Sequence, residues 1–349
     1  MPHARTFRAR GIWGFALLVL LATCAFRPNL LKAQQGPSHA GATFVENDSA
    51  FSNISQQSSS STASPANTDE VSLNVAVLDS KHQIVQNLNQ EDFKILEDGD
   101  PQTILSFRHD DIPVSIALVI DQSGSIFKKR PGVNQFALNF MAASNPRDEA
   151  FVVNFAKEAF IDQGLTSDPA LIRAALSQGK CYGPTALYDA VVASADKLAA
   201  ESHNTKKIIL VVTDGTDNAS TLNLAEAISR VQRLSGPVIY SVGLLFGEGI
   251  HFGETHFAHR ALELLSAQTG GLAFFPKSLD QIDPIAAEVA GDIRSQYTLT
   301  YRSTKPPIQP GFRKVTVLVK TKGESKLNVR TIPGYFSTVN SSPKVTSTK

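Results

Sequence analysis

The sequence predicts an α/β fold in which helices cover both faces of a mostly parallel β-sheet. Near-continuous apolar runs, typical of central parallel strands, recur at 114–120, 150–155, 208–212, 238–244 and, more weakly, 272–275. Between and after these runs, apolar residues recur three and four positions apart, as on one helix face, at 131–143, 169–177, 186–199, 222–234, 256–267 and 282–293. Strands that alternate with helices in this way predict a doubly wound sheet with right-handed crossovers.

Both flanks of this α/β part have a β pattern. Short segments of alternating polarity occur at 71–78, 93–96, 103–107, 297–301 and 313–320. The turn signal Asp98-Gly99-Asp100-Pro101 predicts a hairpin between the second and third of these segments. We expect the N- and C-terminal strands to combine in one small β-sandwich-like module beside the α/β domain.

Composition excludes several classes of protein. The 349 residues are 42% hydrophobic and 19% charged, with a formal net charge of +1 and no basic stripe, so a nucleic-acid partner is not expected. Two cysteines are too few for a disulfide-stapled scaffold or a cysteine-rich metal site.

The N-terminal segment predicts export. Three arginines precede the apolar stretch 12–26, which is short for a membrane span and typical of a secretory signal peptide. Cleavage is expected after Ala25 or Ala33; lipidation of Cys24 and an uncleaved anchor are the alternatives. Loss of residues 1–33 leaves 28 basic against 32 acidic side chains. We expect a periplasmic or secreted protein, or a lipid-anchored outer-membrane form through Cys24, with no membrane span in the mature chain.

The predicted organisation has six parts. They are a signal peptide at 1–33, a flexible Ser-rich tether at 34–68, an N-terminal β module at 69–111, the α/β domain at 112–295, a C-terminal β segment at 296–338 and a disordered tail at 339–349.

Oxygen-bearing side chains follow the predicted central strands. Asp121, Ser123 and Ser125 come directly after the first strand, Asp214 follows a later one, and Thr185 lies on a loop between them. In open α/β sheets, ligands bind beyond the carboxyl ends of the strands. Carboxylates and hydroxyls are hard ligands, so the pattern predicts a site for Mg²⁺, with Mn²⁺ or Ca²⁺ as alternatives.

The charge of this set points to a binding role. Asp121 and Asp214 at most neutralise a divalent ion, because the hydroxyls of the other three residues carry no formal charge. Such an ion keeps open positions, which an exposed Asp or Glu of a partner protein can fill. The expected function is metal-dependent adhesion or protein binding.

The motif Asp121-x-Ser123-x-Ser125 with Thr185 and Asp214 resembles the metal-ion-dependent adhesion site (MIDAS) of von Willebrand factor type A (VWFA) domains. The flanking sequences 88–99 and 334–336 resemble a bacterial, chiefly acidobacterial, family of secreted VWFA-related proteins. The resemblance implies a Rossmann-like fold, metal contacts from the two serines and the threonine, aspartates that act directly or through water, and no catalysis.

The sequence also admits other roles for several residues near the motif. Asp217 and Asn218 are interpreted as turn or capping residues. Asp189 is interpreted as support for the Thr185 loop or as part of a solvated helix face, and not as a ligand. Cys181 has no evident histidine partner, so no nucleophile is assigned to it. A metal-dependent phosphoester hydrolase would need a base, for which Asp217 is the only candidate, and a structural envelope protein with a vestigial site is the third hypothesis.

Overall fold

The computed structural model describes residues 70–179, 182–234, 236–247, 252–305, 311–321 and 327–337, all within one compact unit. The predicted signal peptide, tether and tail, with Cys24 and Cys181, lie outside the described residues. Within these ranges, no helix combines the length and the apolar character of a membrane span.

The described ranges alternate strands and helices as expected. The strands are β1 Glu70–Leu78, β2 Phe93–Glu97, β3 Asp100–Gln102, β4 Ile104–Arg108, β5 Val114–Asp121, β6 Glu149–Phe155, β7 Ala159–Thr166, β8 Lys206–Thr213, β9 Val238–Gly243, β10 Ala273–Phe274, β11 Tyr297–Arg302, β12 Gly311–Val319, β13 Asn328–Arg330 and β14 Gly334–Ser337. The α-helices are α1 Arg130–Ala143, α2 Pro169–Gln178, α3 Leu187–Glu201, α4 Leu224–Arg233, α5 Phe252–Ala267 and α6 Ile282–Arg294.

The central sheet has six strands in the order β10-β9-β8-β5-β6-β7. All neighbours are parallel except β6 and β7. The predicted α/β fold class is confirmed, but the antiparallel edge strand β7 was not predicted. Its residues are half-buried or exposed throughout, so its sequence lacks the alternation that marks a one-sided strand.

Burial on both faces explains the apolar runs of the central strands. In β5, Ile116 and Leu118 pack under α1, α2 and α6, whereas Ala117 and Val119 face α3 and α5 on the other side. All eight residues of β5 are buried, as expected for a strand covered on two faces.

The flanking strands form two four-stranded sheets, β13-β1-β11-β4 and β14-β12-β2-β3. N- and C-terminal strands pair directly, β1 with β11 and β2 with β12, and both sheets contribute to one apolar core that includes Leu73, Ile95 and Tyr297. The expected β-sandwich-like module is therefore present in the structure.

The predicted hairpin between 93–96 and 103–107 is wrong in its second strand. Asp98 and Gly99 turn with positive φ of 49° and 96°, but they join β2 to the three-residue β3. The chain then moves to the other sheet, where β4 pairs with β11 and Phe107 packs against Tyr297 with ring centroids 5.6 Å apart. The core between the two sheets requires this change of sheet, which strand periodicity does not reveal.

The strand order reverses beside β5. From β5 the chain proceeds through α1 to β6 on one side, and it later returns through α3 to β8 on the other side. The carboxyl ends of β5 and β8 therefore border a crevice of the kind in which α/β sheets bind ligands.

Candidate metal site at the carboxyl edge of the sheet

Asp121 is the last residue of β5, and its side chain is buried. Its Oδ1 accepts a 2.7 Å hydrogen bond from the backbone N–H of Ser123, and its Oδ2 accepts one of 2.5 Å from the Thr213 hydroxyl. Burial raises the pKa of Asp121 to about 6; hydrogen bonds from Thr213 and Ser123 oppose that effect. The carboxylate is thus held in one orientation at the strand end.

The two serines connect this strand end to the next one. Ser123 and Ser125 have their Oγ atoms 3.1 Å apart, and Ser125 Oγ donates a 2.7 Å hydrogen bond to Asp214 Oδ1. Ser125 lies on the 3₁₀ turn Gly124–Lys128, which follows directly after the β5 loop. A continuous row of oxygen atoms therefore runs from the end of β5 to the end of β8.

Thr185 belongs to the loop before α3, and the loop after β8 fixes its backbone. Its N–H donates a 2.8 Å hydrogen bond to Asn218 Oδ1, and its carbonyl accepts from the N–H groups of Asn218 and Ala219. A Cβ added at Gly215 would lie 3.5 Å from Thr185 Oγ1, which places this hydroxyl beside the residue that follows Asp214. Ser125, Thr185 and Asp214 line one cavity of about 280 Å³.

Asp217 is a capping residue, as predicted, whereas Asp189 holds the chain at 221–222 and not the Thr185 loop. Asp217 Oδ2 accepts hydrogen bonds from Tyr188 N–H at 3.1 Å and from the Ser220 hydroxyl at 2.5 Å. Asp189 accepts from the backbone N–H groups of Thr221 and Leu222 at 2.8 and 3.1 Å. Both carboxylates are therefore engaged in holding loop backbone.

Two residues of the site were not found from the sequence. Thr213 directly precedes Asp214 and orients Asp121. Lys129 donates from Nζ to Asp214 Oδ2 at 2.7 Å and to the Leu244 carbonyl at 3.0 Å. In the sequence, Thr213 is marked only as a hydroxyl residue at the end of an apolar run. Lys129 is marked only as the middle of a basic run, 128–130, that follows Ser125 by three residues.

The donor set fits a hard divalent cation. Two carboxylates and three hydroxyls from separate loops meet at one sheet edge, and Mg²⁺ and Mn²⁺ prefer such oxygen ligands. Among the residues that the structure describes, no group of three or more His, Cys, Asp or Glu side chains could hold a metal. Hydroxyls must therefore complete any metal site built on Asp121 and Asp214.

Three exposed aromatic residues lie on chain segments next to the candidate site. Phe127, Tyr182 and Phe257 are 69%, 62% and 69% exposed, more than any other large hydrophobic side chain of the described ranges. Phe127 shares the 3₁₀ turn of the site, Tyr182 N–H donates to the Gln122 carbonyl at 2.8 Å, and Phe257 precedes the cavity-lining Ala258. Exposed aromatic groups are typical of protein-binding surfaces.

Residues 116–216 match the family model of the von Willebrand factor type A domain. This segment is a VWFA domain. It contains all five predicted ligand positions, from Asp121 to Asp214. The narrower resemblance to an acidobacterial subfamily stays a prediction.

Solved structures similar to this chain include a von Willebrand factor type A protein and two pilus proteins. A von Willebrand factor type A protein from Catenulispora acidiphila has 13% identity and a TM-score of 0.46, and the match covers 77% of this chain and 74% of that one. The pilus adhesin SpaC from Lactobacillus rhamnosus GG has 11% identity and a TM-score of 0.44, with 74% and 49% covered.

The VWFA domain of the type V pilus tip protein Mfa5 from Porphyromonas gingivalis has 14% identity and a TM-score of 0.42, with 52% of this chain and 97% of that one covered. No curated protein matches the chain.

Proposed function

We propose that this chain is an exported, non-catalytic binding module whose VWFA domain holds a divalent cation, by default Mg²⁺, and docks on an acidic residue of a partner protein. The observation that carries the proposal is the convergence of Asp121, Ser123, Ser125, Thr185 and Asp214 at the carboxyl edge of β5 and β8.

The hydroxyls of Ser123, Ser125 and Thr185 would contact the cation, and Asp121 and Asp214 would bind it directly or through water. A bound cation with this donor set supplies an open, Lewis-acidic position that accepts an external carboxylate. The hydrogen bonds from Ser123 N–H and Thr213 pre-orient Asp121, and those of Asn218 fix the Thr185 loop. Pre-orientation lowers the cost of assembling the ligands.

The surroundings of the cavity support a protein partner. Phe127, Tyr182 and Phe257 offer exposed apolar area at the same edge of the sheet. A partner segment with an acidic residue between apolar side chains would match both features. Export is proposed from the N-terminal sequence alone, since that segment lies outside the described residues.

The proposal is tested by calorimetric titration of Mg²⁺ and Mn²⁺ into the wild type, Asp214→Asn and Asp196→Asn. Asp196 is an exposed carboxylate on α3 that pairs with Arg230, so its variant controls for the loss of one charge. We expect saturable binding by the wild type and Asp196→Asn, and a Kd at least about tenfold higher in Asp214→Asn. Equal heat for all three proteins would overturn the metal site.

Partner binding is tested separately by a pull-down from envelope extract, with Mg²⁺ and again with chelator. The proposal expects a protein captured with Mg²⁺ by the wild type and lost both with chelator and with Asp214→Asn. Capture that is indifferent to chelation would instead favour a structural role with a vestigial site.

A further inference from the structure

A lysine ammonium lies within the proposed metal site. Lys129 immediately precedes α1, and its side chain is only 12% exposed, while that of Asp214 is fully buried. Nζ lies 2.7 Å from Asp214 Oδ2 and 3.0 Å from the Leu244 carbonyl, and it stands 5.2 Å from the centre of the Phe246 ring. A buried ammonium is stable only with such partners.

The Lys129 ammonium is paired with Asp214, a proposed ligand of the cation. Asp214 accepts from Ser125 through Oδ1 and from Lys129 through Oδ2, so both of its oxygens are engaged. A divalent ion bound by Ser125 and Asp214 would stand close to Nζ. Like charges so placed repel each other, and the two cations also compete for one anion.

We propose that Lys129 is an internal competitor of the metal: its ammonium neutralises Asp214 in the metal-free site and releases it when a divalent cation binds. This inference rests on the proposed function, because it takes the metal site as given. The Leu244 carbonyl and the Phe246 ring are partners of Nζ that do not involve Asp214, so the ammonium keeps acceptors after it leaves the carboxylate.

The competition has a measurable consequence for affinity. When a site is available only in a fraction of the molecules, the apparent Kd rises in inverse proportion to that fraction. Lys129 therefore weakens cation binding and stabilises the metal-free fold, so that half-saturation of the site requires a higher cation concentration. Removal of the ammonium should tighten cation binding and lower the stability of the metal-free protein.

The experiment titrates Mg²⁺ alone into the wild type, Lys129→Met and Lys129→Gln, and records thermal unfolding of each in EDTA and in saturating Mg²⁺. Methionine keeps the apolar stem, and glutamine keeps a neutral donor for Asp214 should the methionine variant fold poorly. Lys157→Met removes an exposed positive charge that follows β6 at the same sheet edge and serves as the control.

We expect both Lys129 variants to bind Mg²⁺ at least about tenfold more tightly than the wild type. We also expect a lower Tm for both in EDTA, with the difference shrinking in Mg²⁺, and wild-type behaviour from Lys157→Met. Equal or weaker Mg²⁺ binding by the Lys129 variants would overturn the competitor role while leaving the metal site intact. Absence of saturable Mg²⁺ binding by every protein would overturn the site and the competitor role together.

Discussion

Thr213 donates a 2.5 Å hydrogen bond from its hydroxyl to Asp121 Oδ2, and both side chains are fully buried. The two residues end the neighbouring parallel strands β8 and β5, so the bond joins the two strand ends that carry the candidate site. The hydroxyl aims a buried carboxylate at the edge of the sheet.

We expect Thr213→Val to weaken Mg²⁺ binding by roughly 10–100-fold, as is typical for the loss of a group that orients a metal ligand. Valine keeps the shape of threonine but leaves Asp121 without one hydrogen bond, so the free energy of unfolding should fall by about 1–3 kcal/mol. Calorimetric titration and urea unfolding measure the two effects. Thr316→Val, on β12 of the β module, is the control and should bind Mg²⁺ as the wild type does; an unchanged Kd in Thr213→Val would contradict the orienting role.

The exposed aromatic side chains near the candidate site should matter for partner binding and not for cation binding. We expect the double variant Phe127→Ser with Phe257→Ser to bind Mg²⁺ with the wild-type Kd and to lose Mg²⁺-dependent capture of the partner, since exposed aromatic groups dominate protein interfaces. Leu105→Ser, an exposed apolar site on the β module, is the control. Full capture by the double variant would exclude this surface from the interface.

The stability of the β module should depend strongly on one buried carboxylate, that of Glu97. It is fully buried and accepts from the hydroxyls of Tyr301, Tyr335 and Ser303 at 2.6–2.8 Å and from Arg313 Nη1 at 3.3 Å. Glu97→Gln removes the buried negative charge that pairs with Arg313.

Loss of one partner of a buried ion pair typically lowers the free energy of unfolding by about 3–5 kcal/mol, and we expect Glu97→Gln to fall in this range. Urea unfolding measures it, with the exposed Glu91→Gln as control. A difference no larger than that of the control would show that the network adds nothing. Mg²⁺ binding should be unchanged, because the metal site lies in the other part of the fold.

The buried side chain of Lys206 should make the stability of the protein depend on pH. Burial lowers its pKa from 10.5 to about 8, against the attraction of Asp292, Asp111 and Asp148. Between these values the unfolded chain binds the proton more strongly than the folded chain, so the contribution of Lys206 to stability rises with pH. Below about pH 8 both states are protonated, and the burial penalty applies in full.

The wild type should therefore gain stability relative to Lys206→Met as the pH rises from about 7.5 to about 10. Urea unfolding across this range measures the difference, and Lys277→Met, at an exposed lysine, controls for general charge effects. A difference that is constant or falls with pH would contradict the lowered pKa.

The features that follow from a single physical cause could be predicted from the sequence. The strands β5, β6, β8 and β9 could be predicted because burial on both faces demands unbroken apolar runs. The meeting of Asp121, Ser125 and Asp214 could be predicted because each closely follows a strand end, and parallel strands end at one edge. Their role as metal ligands stays a prediction.

Other features depend on tertiary contacts that no local pattern records. Lys129 is one of three consecutive basic residues, and only the positions of Asp214 and Leu244 distinguish it. Helix α5 begins at Phe252, whereas the sequence predicts a start at residue 256. The glycines before that position have low helix propensity, so the local sequence favours the later start. The short strands β13 and β14 owe their conformation to pairing with β1 and β12.

The most direct test of the metal site is anomalous X-ray diffraction from crystals grown with saturating Mn²⁺. The proposal predicts an anomalous peak among Ser123 Oγ, Ser125 Oγ and Thr185 Oγ1, with Lys129 Nζ displaced from Asp214. A map with no peak at these oxygens, or with Mn²⁺ bound only elsewhere, would contradict it.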